Sequence, residues 1–150
     1  MAPRPRGTLQ QQFKITNHIG MAMMGAVFVY ALLVLAISKG VLPVKVQPSL
    51  SQAVTTNLSY AFLILAVADY FIISFVKKIS LKNVLFLQPL AITIFALCES
   101  VAILGLVLFF LTAQANNFFI FMVISLLYFY LFYPKYADWE KLANQEENQP

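Results

Sequence analysis

Four long apolar runs dominate this chain, Ile19 to Ser38, Leu58 to Val76, Pro89 to Thr112 and Phe118 to Tyr133, and they leave few folds open to it. About 20 helical residues, at about 1.5 Å each, cross the roughly 30 Å hydrocarbon layer of a bilayer. The first three runs reach that length; the fourth, at about 24 Å, is short and is expected to borrow interfacial aromatics. A chain that is 61% hydrophobic and 11% charged, with a mean hydropathy of +0.79, has too little polar surface for a soluble domain. The expected fold is all-α: a polytopic membrane protein with four transmembrane helices in an up-down bundle, one membrane domain over residues 1–150.

The basic residues cluster where spans end. Arg4, Arg6 and Lys14 precede the first span, Lys77, Lys78 and Lys82 follow the second, and Lys135 and Lys141 follow the fourth; the opposite side has only Lys39 and Lys45. By the positive-inside rule, eight against two places both termini in the cytoplasm. A net charge of +4 would suggest nucleic acid as a partner for a soluble protein, but charge confined to span ends fits a lipid bilayer and does not call for nucleic acid.

The stretch from Arg4 to Ser38 has the basic start and apolar run of a signal peptide. Its run exceeds an h-region of about 7 to 15 residues, so it reads as a retained helix. The polar tails, 1–12 and 143–150, have compositions that cannot build a core and are expected to be disordered unless a partner subunit holds them. The connection from Lys39 to Asn57 carries Gly40, Pro43, Pro48 and many Ser, Thr and Gln residues and reads as an irregular loop. The Gln114 to Asn117 turn is tight, which makes the third and fourth spans neighbours.

The single cysteine, Cys98, excludes a disulfide framework and a cysteine-cluster metal site. His18, the only histidine, lies near the inner interface and reads as a boundary residue; no cofactor and no metal is called for. The fourth span is crowded with aromatics that continue into Tyr136 and Trp139, an interfacial belt by composition. Small residues that let helices approach closely in lipid are Gly20, Ala22, Gly25 and Ala26 on the first span, with Ala96 and Ser100 on the third.

Two acids lie within the spans, Asp69 on the second and Glu99 on the third. A carboxylate near mid-span costs about 2.5 to 3.5 kcal/mol even on mild insertion scales, so it suggests pairing, proton handling or ion binding. Counted from the basic inner loop, Asp69 and Glu99 differ in depth by about 5 Å, a gap that side chains can close. Both cannot be ionised cheaply in a low dielectric, so one is expected to keep its proton or share a cation. The structural alternative is a carboxyl that only hydrogen-bonds a neighbouring group.

Glu99-Ser-Val-Ala-Ile103-Leu-Gly105-Leu106-Val107 resembles the carboxylate helix of subunit c, the proteolipid of rotary ATP synthases, and Ala115-Asn116-Asn117-Phe118 is similar to the Ala-Asn-Pro-Phe that follows that helix. The resemblance covers about 20 residues and implies that Glu99 takes up and releases a proton or sodium ion. The second span, Tyr60 to Phe71, has none of the glycines on which subunit c packs. Over its whole length the chain resembles small four-span bacterial membrane proteins with a Glu-containing third helix, a likeness that implies no activity.

These readings together favour a non-enzymatic small subunit of a larger energy-transducing or transport complex in a bacterial inner membrane, with hetero-complex partners. The alternative is a subunit c-like proteolipid in a homo-oligomeric ring. No nucleophile-base-acid set, metal cluster or phosphate loop is present in the sequence to suggest an enzyme.

Overall fold

The computed structural model describes residues 6–44, 46, 51–80 and 86–147. They form five helices: α1 Arg6–Ser38, α2 Gln52–Ser80, α3 Leu87–Thr112, α4 Ala115–Phe132 and α5 Tyr136–Glu147. The first four include apolar stretches long enough to cross a membrane. Arg4, Lys45, Pro48 and Lys82, and the outermost residues of both tails, lie outside the described residues.

Local chemistry explains where the helices stop. After Ser38, Gly40 adopts φ +70°, and the Val41 amide donates to the Ala36 carbonyl at 2.9 Å, closing the helix end in the way a left-handed glycine permits. Ala113 ends α3 at φ 57° with its amide on the Phe109 carbonyl. Tyr133 ends α4 in an extended conformation, because Pro134 behind it disfavours helical geometry at the preceding residue. Pro89 sits in the first turn of α3, where no intrahelical partner is needed for its missing amide.

Several boundaries differ from the sequence expectation. Helix α2 begins at Gln52 and takes in Asn57, since Thr56 and Ser59 turn their hydroxyls onto the carbonyls of Gln52 and Thr55 (3.0 and 2.9 Å) and so satisfy themselves within a helix. Helix α4 begins at Ala115, which leaves Ala113 and Gln114 as the whole connection and gives a span of about 27 Å. The polar ends are also helical where described: α1 starts at Arg6 and α5 continues to Glu147.

Helix α3 is the hub and packs on α1, α2 and α4, with α4 its most extensive neighbour. Helices α1 and α2, consecutive in sequence, flank the α3–α4 pair and share no substantial face. Along α3 and α4 the contacts run in opposite order: Phe95 stacks with Phe129, Ser125 bonds Cys98, and Gly105 meets Phe121. The core between them holds Phe95, Val101, Leu108 and Phe129, all fully buried.

At one end, α5 folds back onto the start of α1. Trp139, 3% exposed, joins Leu9, Leu87 and Ala91 in a separate apolar cluster, and Phe13 meets both Tyr136 and Trp139 edge-on at 5.3 Å between centroids. The start of α1 and α5 therefore hold each other. The terminal aromatics also turn inward rather than forming a uniform belt: Tyr128 and Trp139 are buried, and Tyr130 is the one that stands far out, at 81% exposure.

Candidate functional site: a polar layer at mid-depth

All four spans contribute to one layer of polar groups around the middle of α3. The Tyr30 hydroxyl of α1 donates to Glu99 Oε1 at 2.7 Å. On the next residue of α3, the Ser100 hydroxyl lies 3.2 Å from Asp69 Oδ2 on α2 and 2.7 Å from the Leu97 carbonyl of its own helix. From α4, Ser125 donates to the Cys98 carbonyl at 2.7 Å, and Tyr128 to the Ala66 carbonyl of α2 at 3.0 Å.

The layer follows from helical geometry. Successive residues are rotated by about 100° around a helix, so Cys98, Glu99 and Ser100 address three different neighbours: α4, α1 and α2. Asp69 and Ala66, three apart on α2, share the face turned to the α3–α4 pair. Every deeply buried side-chain nitrogen or oxygen among the described residues has a hydrogen-bond partner, which is the condition for keeping polar groups in a medium that offers no water.

The two acids expected to act as a pair take separate hydroxyl partners, and no hydrogen bond joins them among the described residues. Both are half-buried. Of the small residues, Gly20 and Ser100 lie at helix contacts: a Cβ on Gly20 would fall 2.5 Å from the Phe95 ring. Ala26 is half-buried, whereas Ala22, Gly25 and Ala96 are exposed, on the outward sides of α1 and α3, so the expectation that they pack helices is not met within this chain. Small-residue spacing shows which faces allow close approach, not which one the bundle uses.

Sequence reasoning does not single out Tyr30, Ser125 or Tyr128, and it names Gly105 only within the subunit c resemblance and not as a packing position, although a Cβ added there would lie 2.6 Å from that of Phe121. Tyrosine hydroxyls within a run of aromatics resemble belt residues. Their distance in sequence from the acids, 69 positions for Tyr30 and Glu99, hides the pairing.

At the end of the bundle where α1 and α5 meet, Tyr133 donates to the Asn17 side-chain oxygen, and the exposed His18 places Nδ1 2.7 Å from the Lys14 carbonyl. Among the described residues no group of three His, Cys, Asp or Glu could hold a metal ion. No family model, curated protein or solved structure matches the chain.

Proposed function

We propose that this chain is a non-enzymatic integral subunit of a larger energy-transducing or transport complex in a bacterial inner membrane, with Glu99 and Asp69 as its protonatable groups. The observation that carries this reading is the polar layer, in which each acid is met by a hydroxyl from another helix. Ser100 has one hydroxyl hydrogen and two acceptors in range, so a proton on the Asp69 carboxyl completes the set.

The spans run up and down, with both termini on the basic, cytoplasmic side. The reversed contact order along α3 and α4 supports this, as does the meeting of α1 and α5 at one end. Docking to other membrane subunits uses outward faces, where Ala22, Gly25 and Ala96 leave room for close helix approach. The proteolipid alternative, with Glu99 exchanging ions against a stator, is less well supported, because Tyr30 of an additional helix occupies the approach to Glu99.

Gentle detergent extraction from native membranes, followed by identification of whatever co-migrates, tests the reading. A discrete assembly containing other membrane proteins is expected. A stable chain that migrates alone would contradict it, and a ring of identical chains would favour the alternative.

A further inference from the structure

At the end of the bundle where α1 and α5 meet, the ends of α2, α3 and α4 and the start of α5 leave a cleft of about 40 Å³. Two lysines line it, Lys77 from α2 and Lys135 from the α4–α5 corner, against apolar walls that include Leu90, Phe132 and Trp139. Lys77 is half-buried, with Nζ 6.0 Å from the centre of the Phe132 ring. The one acid among the lining residues is Asp138. It lies in the first turn of α5, where the helix dipole favours a negative charge. Two lysines against one aspartate leave the cleft net positive, and no carboxylate is ion-paired with either lysine among the described residues.

We propose that this cleft binds the phosphate headgroup of an anionic phospholipid. Pockets that enclose soluble ligands run to about 300–1,000 Å³, so this one is too small to hold such a ligand by burial. A lipid needs no such enclosure, because its acyl chains stay in the bilayer and only the headgroup must be recognised. The cleft lies where apolar spans give way to basic residues, the level at which lysines meet anionic headgroups and contribute a factor of roughly five each. Phe132 and Trp139, both buried, form the apolar wall beneath the two lysines. The proposal depends on the helices crossing a bilayer and is independent of the roles assigned to Glu99 and Asp69.

The full chain, purified in a zwitterionic detergent, is titrated in separate arms with phosphatidylglycerol, phosphatidylcholine and inorganic phosphate. Bound lipid is counted by native mass spectrometry and Tm is followed in parallel. Phosphatidylglycerol should be retained and raise Tm, with no comparable effect from the other two. K77Q/K135Q should weaken its retention by roughly thirty-fold, K77R/K135R should preserve it, and K39Q, beyond the far end of α1, should leave it unchanged. Equal retention by K77Q/K135Q and the wild type would overturn the proposal. So would an equal loss in K39Q, equal retention of phosphatidylcholine, or a Tm rise with inorganic phosphate alone that matches the lipid's.

Discussion

The Tyr30 hydroxyl and the Glu99 carboxylate, 69 positions apart in sequence, meet at 2.7 Å between α1 and α3. This contact gives a mid-span acid a polar companion, which makes its place among apolar residues tolerable. It also ties α1 to the hub helix at the depth where α2 and α4 make their own polar contacts with the bundle.

Gly20 and Gly105 should be intolerant of a single added methyl group. A Cβ on Gly20 falls 2.5 Å from the Phe95 ring, which is fully buried and cannot yield, and one on Gly105 falls 2.6 Å from Phe121 Cβ and 3.2 Å from the Phe118 carbonyl. Gly20→Ala and Gly105→Ala should each cost about 1–3 kcal/mol in denaturant titrations in detergent. Gly25→Ala, with nothing within 4 Å, should be neutral or slightly stabilising through helix propensity.

Replacing Asp69 by Asn should be nearly neutral, because an amide can always donate to Ser100, just as a protonated Asp69 carboxyl would. Asp69→Leu should abolish coupling to Ser100, so that a subsequent Ser100→Ala loses only the hydroxyl's contact with the Leu97 carbonyl. A double-mutant cycle measured by reversible unfolding checks this, with a coupling of about 0.6 kcal/mol expected in the wild-type background.

Trp139→Ala should loosen the contact between α5 and the start of α1. The indole is buried with Leu9, Leu87 and Ala91, and a Trp-to-Ala truncation in such a setting costs about 3 kcal/mol. The loss is local to that cluster, so limited proteolysis should cut within residues 136–147 much faster than in the wild type while α1 to α4 remain protected.

Ala113 is held at φ 57°, a left-handed geometry that is unfavourable for any residue with a Cβ by roughly 1 kcal/mol. Ala113→Gly should therefore raise the stability of the α3–α4 hairpin by up to about that amount, offset in part by the added freedom of the unfolded chain. Thermal unfolding should show a modest increase in Tm.

Much of the fold is legible in the sequence because bilayer thickness fixes helix length: the four apolar runs are the cores of α1 to α4, and Gly40 lies just past a real helix end. The stretch from Thr55 to Asn57 reads as loop yet is helical, because polar composition signals a loop only when the hydroxyls do not satisfy themselves on their own helix. The acids are visible as anomalies, but their partners are not. Tyr30 is one aromatic among apolar neighbours, and which of the outward or inward faces of α1 it occupies depends on tertiary packing that no local pattern encodes. The clasp of Trp139 on Leu9 is hidden for the same reason, since each segment alone is too polar to suggest a core.

The most direct measurement is the cost of Tyr30→Phe in two backgrounds, wild type and Glu99→Leu, by reversible unfolding in detergent or bicelles. If the hydroxyl serves Glu99, its removal should cost about 0.6–1.7 kcal/mol when the carboxylate is present and close to nothing when leucine replaces it. An equal cost in both backgrounds would mean that Tyr30 does not hold Glu99, and the polar layer would lose its central contact.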